Sequence, residues 1–226
     1  PINGRRFHDF VQLTPTAQIE PQRQGISFAG QRGINANITI DGADYNQPFF
    51  GGIRGGERSN SAFSIPQEAI QEFQIVAYGA TAEYGRTSSG TMNAVTKSGS
   101  NEWHGSGFYL VRHKDMARKD AFDRQSLDNQ HQFGGSFGGP IRRDKSFFFV
   151  TAEQQKINNP RLVIFRRLDP PFVRTTANGE AFDFYRGLES PFTQTNDATT
   201  VLGKWDEQLN ANHRVSVRYL WSTNTA

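Results

Sequence analysis

Apolar and polar residues alternate with a period of two along much of the second half of the chain. Five segments carry the pattern: His104 to His113, Gln130 to Gly139, Lys145 to Gln155, Thr199 to Leu209 and Arg214 to Thr223. Period two places successive side chains on opposite faces of a strand, so five strands are predicted. The last is the cleanest. Val215, Val217, Tyr219 and Trp221 share one face, and Arg214, Ser216 and Arg218 the other. In the second segment His131, Phe133 and Phe137 oppose Gln130, Gln132 and Ser136. Phe148, Val150 and Ala152 share a face of the third, and Val201 and Trp205 a face of the fourth.

The first half has a different texture. Short strand-like runs are broken by Gly, Asn and Ser. Phe7 to Leu13 predicts a short helix that stops before Pro15, because residues ahead of proline avoid helical backbone. Asn37 to Ile40 is a short strand, closed by the turn pair Asp41-Gly42. A polar loop follows, from Ala43 to Ser61. Ser64 with Pro66 and Gln67 predicts a capped helix that continues through Ala69 and Ile70. Phe73, Ile75 and Ala77 then alternate with Gln74, Val76 and Tyr78 as a strand, and Thr91 to Thr96 makes another. The sum is a small α+β unit over residues 1–99, followed by antiparallel strands over residues 100–226.

Connections between the five strands alternate in length. Lys114 to Asn129 and Asn158 to Ala198 are long, whereas Gly139 to Asp144 and Asn210 to His213 are short. Transmembrane barrels show this alternation, with short periplasmic turns and long external loops. Trp103, Tyr109, Trp205, Tyr219 and Trp221 are candidates for interfacial aromatic girdles. The core of a soluble sandwich accounts for them equally well on pattern alone. Plugged barrels use about 22 strands, so roughly 17 more would follow these five. The chain therefore reads as the N-terminal slice of an incomplete transmembrane β-barrel, cut at both ends.

Composition agrees. Hydrophobic residues make up 35% of the chain, yet there are 19 Phe and 22 Gly. Many glycines disfavour helix and favour sheet and turns. No apolar run is long enough for a membrane helix, which leaves spanning strands untouched. With no Cys, disulfides and thiolate metal sites are excluded. The net charge of +3 comes from scattered charges of both signs, so no basic stripe suggests nucleic acid as a partner. The five His lack metal-ligand spacing, and Gly51 to Gly56 lacks a phosphate-binding pattern. No cofactor and no enzymatic activity are expected.

One run carries more identity than the rest. Ala82-Glu83-Tyr84-Gly85-Arg86 leads through a Gly-rich stretch to Asn93-Ala94-Val95-Thr96-Lys97-Ser98-Gly99, and then to Trp103-His104-Gly105-Ser106. It resembles the end of the plug of a TonB-dependent outer-membrane receptor and the entry to its first barrel strand. Pro1 to Phe7, with Asn3-Gly4-Arg5, resembles the start of such a plug. Asn37 to Gly42 resembles its central strand, and Ile65 to Phe73 its helix and next strand. Phe133-Gly134-Gly135-Ser136-Phe137-Gly138-Gly139-Pro140-Ile141 followed by Lys145 to Phe149 resembles a barrel hairpin of the Oar-like branch. The likeness runs in order over residues 1–155.

The resemblance implies a plug inside a 22-strand barrel in the outer membrane, energised import through the partner TonB, contact with outer-membrane lipid, and an extracellular ligand. Ferric siderophores, cobalamin, glycans, peptides and proteins all remain open. So do adhesion or protein passage by an Oar-like barrel, and a soluble glycan-binding module. Plug–barrel contact is expected at Arg86, whose guanidinium suits carboxylates on the wall, and at Gly85 and Gly90. Gly99 is a further position for close backbone approach. Phe49, Phe50, Arg54 and Arg58 are expected to face ligand from the plug loop.

Overall fold

The computed structural model describes residues 7–20, 25–47, 53, 65–79, 81–116, 118, 129–168 and 173–225. Their strands fall into a small mixed sheet and a long antiparallel sheet, with a separate hairpin of β1 (Ala17–Ile19) and β2 (Ile26–Phe28).

The small sheet contains β3 (Asn37–Ile40), β4 (Ala43–Asp44), β5 (Ile70–Val76) and β6 (Thr91–Thr96) in the order β4-β3-β6-β5. β3 and β6 run parallel, with Ile38 beside Met92 and Ile40 beside Ala94. All four of these side chains are buried. Alternation on β3 sends Ile38 and Ile40 to the core and leaves Asn37 and Thr39 half-exposed. The β3–β4 turn has positive φ at both Asp41 (49°) and Gly42 (78°). Such a turn follows the twist of a hairpin and favours Asp-Gly. Phe7–Leu13 is a 3-10 helix, as is each remaining helical piece among the described residues before Thr96. The helix expected from Ser64 is therefore one turn, Gln67–Ala69, and Ile70 opens β5 instead of extending it. Pairing of Ile70 with Thr96 takes over from the helical bonds. Ser64 lies outside the described residues.

The long sheet runs β11-β10-β9-β8-β7. Its strands are β7 (His104–His113), β8 (Asn129–Arg142), β9 (Ser146–Leu162), β10 (Pro191–Asn210) and β11 (His213–Thr225). Each neighbour in sequence is a neighbour in space and antiparallel, and the sheet does not close. β8, β9 and β10 are longer than the alternation indicates, because Asn, Gln and Thr carry the ladder on where apolar alternation stops. Turns of three and two residues join β8 to β9 and β10 to β11. The connection from β9 to β10 holds α1 (Gly179–Gly187), which the sequence pattern did not indicate. Arg174 clasps Asp183 there with two bonds, at 2.8 and 2.5 Å, and holds its carboxyl below the usual range.

The two faces of the long sheet invert the usual order. Gln130, Gln132, Thr151, Glu153, Gln155, Asn196, Thr200 and Asp206 are buried. Their apolar neighbours Phe133, Phe137, Val150, Trp205, Val217, Tyr219 and Trp221 are exposed. The buried face lies towards the small sheet, and the apolar core of that sheet runs on into Phe149 and Leu202. The exposed band from Val215 to Trp221 spans roughly 20 Å at strand rise. Beyond it the same face turns to Gln154, Lys156 and Asp197, with Lys156 of β9 paired in register with Asp197 of β10.

Candidate functional site

The contacts between the two sheets centre on Asp41. Its left-handed backbone at the β3–β4 turn presents the carboxylate to the end of β6 and to the long sheet. The Thr96 N–H donates to Asp41 Oδ1 at 2.7 Å, and the Thr96 hydroxyl donates to Oδ2 at 2.7 Å. Arg218 of β11 donates to the same Oδ2 at 2.5 Å. Lys204 of β10 stands 4.0 Å from it and donates to the Thr96 hydroxyl oxygen at 3.1 Å and to the Thr96 carbonyl at 3.3 Å. The Lys204 side chain is only 10% exposed, against 25% for Asp41 and 22% for Arg218. One carboxylate on the small sheet thus faces two cations on the long one. Partial burial makes such a network stronger than a surface pair, and the remaining exposure leaves it open to salt.

Two further carboxylates work across the same gap. Glu153 of β9, almost fully buried, accepts the Gln67 N–H at 2.9 Å and a bond from Gln132. Gln67 opens the 3-10 turn, so its N–H has no helical partner and is free to reach the wall. Glu68, next in sequence, accepts from the Ser106 hydroxyl of β7 at 2.9 Å and from Lys97 at 3.5 Å. The small sheet is therefore held at β7, β9, β10 and β11 by polar and charged bonds, beside the apolar contact with Phe149 and Leu202.

The residues expected for this contact have other partners. Arg86, with φ of 62°, pairs with Asp44 of β4 inside its own sheet, and its side chain is 77% exposed. Gly85 accepts from Asn37 Nδ2 at 2.9 Å, and a Cβ there would meet nothing. Gly90 lies in the small-sheet core, where a Cβ would stand 2.6 Å from the Phe28 ring and 2.8 Å from the Val76 carbonyl. Gly99, by contrast, lies against the backbone of the long sheet at Phe148 and Gly139. Phe49, Phe50, Arg54 and Arg58 lie outside the described residues.

Sequence reading did not single out Asp41, Glu153, Lys204 or Arg218. A signal existed for three of them. Asp41 stands in a turn pair, Arg218 on the polar face of an alternating strand, and Glu153 on the face opposite Phe148, Val150 and Ala152. What was missing is that the polar face is the buried one.

The aromatic residues expected as girdles are exposed on the apolar face. At the short-turn end Trp103 stacks on Phe137 at 5.5 Å and meets the edge of Phe148 at 5.8 Å. Trp205 lies opposite Phe148 and donates its indole N–H to Ser146 Oγ at 3.0 Å. An indole with its ring bare and its N–H bonded suits a boundary between lipid and water.

Comparison with known proteins agrees with this geometry. A family model described as an outer membrane beta barrel domain matches residues 95–175. The TonB-dependent transporter Oar of Myxococcus xanthus is 28% identical over 94% of this chain, which covers 20% of that relative. Among solved structures, the siderophore receptor PirA of Pseudomonas aeruginosa superposes with a TM-score of 0.64 at 14% identity, over 99% of this chain and 31% of that one. The outer membrane transporter YddB of Escherichia coli gives 0.63 at 12% identity, with 99% and 31% covered. The chain thus spans about a fifth of the length of the relative it matches in sequence, and the two solved structures speak for its fold alone. In sequence the chain is similar to the TonB-dependent transporter Oar and in fold to TonB-dependent receptor barrels, and these likenesses indicate the outer membrane.

Proposed function

We propose that residues 1–99 form the plug and residues 100–226 the first wall strands of a receptor that binds a ligand outside the cell and admits it through a gated, plugged barrel. One observation carries the reading: the wall buries its polar face against the small unit through Asp41, Glu153 and Glu68, and leaves its apolar face bare. Lipid is the medium in which that face is stable, and the polar part of the inner contact can open at lower cost than a purely apolar one. TonB is the proposed partner that supplies the force. Arg86, Gly85 and Gly90 stay in the proposal as residues that shape the plug towards the wall. Phe49, Phe50, Arg54 and Arg58 supply aromatic and cationic contact to the ligand.

The test uses the full-length receptor in planar bilayers. The wild type should conduct little at low salt and open more often as salt is raised, whereas the Asp41→Asn variant should already open more often at low salt, the difference shrinking as salt rises. Equal, salt-independent conductance in both would overturn the gate. Loss of heat-modifiable migration on detergent gels in the wild type would overturn the barrel itself.

A further inference from the structure

Residues 97–103 leave the small sheet and are fastened to the β8–β9 turn and the strand ends beside it by three contacts of different kinds. The first is steric. A side chain at Gly99 would collide with the Phe148 carbonyl and come within 2.8 Å of the Gly139 carbonyl and 2.9 Å of the Phe148 nitrogen. Backbone lies on backbone there, with no room for a methyl group.

The second contact is a reciprocal pair of hydrogen bonds. Asn101 Nδ2 donates to Asp144 Oδ1 at 2.7 Å, and the Asp144 N–H donates to Asn101 Oδ1 at 2.8 Å. Asp144 sits in the turn with φ of 62°. The third is aromatic. Trp103 covers Gly139 so closely that a Cβ there would lie 2.5 Å from its ring, and it packs on Phe137 and Phe148. None of the three uses Asp41, Glu68 or Glu153, so these contacts and the lock formed by those three carboxylates are independent sets of bonds.

We infer that residues 99–103 and the β8–β9 turn form a permanent strap, which holds the C-terminal end of the small unit at the short-turn end of the wall while the Asp41 contacts open and close. Asn101 and Asp144 are its positioning residues. The strap's use rests on the gated reading above, but its existence does not.

Trypsin cleavage after Lys97 in the detergent-solubilised full-length receptor tests it. Asn101→Ala and Asp144→Ala should each speed that cleavage at least fivefold. The exchanged variant N101D/D144N, which restores both bonds with donor and acceptor side chains swapped, should return to within twofold of the wild type. Cleavage unchanged in both alanine variants would overturn the strap. Should those variants fail to assemble, the paired variant N101C/D144C decides, since this stretch has no other cysteine. Its oxidised form should be cut at least fivefold more slowly than its reduced form, and equal rates would overturn the inference. A separate arm uses Asp41→Asn. Cleavage after Arg86 should rise while cleavage after Lys97 stays within twofold. A parallel rise at Lys97 sinks the independent strap, whereas no rise at Arg86 sinks the lock and leaves the strap standing.

Discussion

The small sheet and the long sheet are written in one amino-acid alphabet but folded for opposite surroundings. In the small sheet Ile38, Ile40, Met92 and Ala94 are inside. In the long sheet Gln132, Thr151, Glu153 and Thr200 are inside and Val217, Tyr219 and Trp221 outside. Water drives the first arrangement, because burying apolar area is favourable in water. It cannot drive the second, in which bare aromatic area would be costly. On the function proposed above, lipid is the solvent of the outer face, and the polar inner face meets the small sheet through carboxylates and cations.

The comparison can be broken in several places in the full-length receptor. The largest effect is expected in the small core. Ile38→Ala should destabilise the small unit by about 2–5 kcal/mol, the usual cost of emptying a packed site. Hydrogen exchange should speed up in β3 and β6 and stay unchanged in β8 to β11. Next comes Val150→Arg, which places a charge on the apolar band. It should cost about 2–4 kcal/mol on refolding into lipid vesicles, read from the urea midpoint. A shift of less than about 0.5 kcal/mol, ordinary for a water-exposed site, would show that this face does not meet lipid.

Asp41→Asn should have a medium effect of about 1–2 kcal/mol, below the full value of a charged hydrogen bond because the carboxylate is a quarter exposed. Protease protection of the small sheet should fall, and the difference from the wild type should shrink as salt rises. Trp103→Ala should cost about 1 kcal/mol, mostly through its lost ring contacts, and should show as a lower temperature for the heat-modifiable gel shift. Arg86→Ala should be smallest, under about 1 kcal/mol, because its pair with Asp44 is exposed. A large loss of protection in that variant would support the plug–barrel contact expected for Arg86.

How much of this was legible in the sequence depends on the kind of signal. Period two placed all five long strands, most clearly β11, where Val215, Val217, Tyr219 and Trp221 share one face. It lost the ends of β9 and β10, where Asn158, Thr193 and Thr195 alternate nothing with nothing. The β1–β2 hairpin, three residues a side, is too short for any period. The short helix α1 was missed because it sits within a long polar connection. At the site, the Asp-Gly pair was read as a turn, which it is. That the turn aims Asp41 at strands more than 160 residues further on depends on tertiary packing, and no local pattern encodes it. Arg86 illustrates the converse. Its surroundings suggested reach, and the partner the structure shows is Asp44 on the neighbouring hairpin.

The turn at Asp144 has a consequence for what variation the chain tolerates. Its positive φ favours glycine, and its bond to Asn101 demands a side-chain oxygen. Few residues meet both conditions, and they are Asp and Asn, the short polar residues that most readily adopt left-handed backbone. Glycine would relax the backbone and drop the acceptor; glutamate would keep an acceptor but strain the turn. A library of all twenty residues at this one position, sorted for assembled receptor and trypsin resistance, should therefore return two letters.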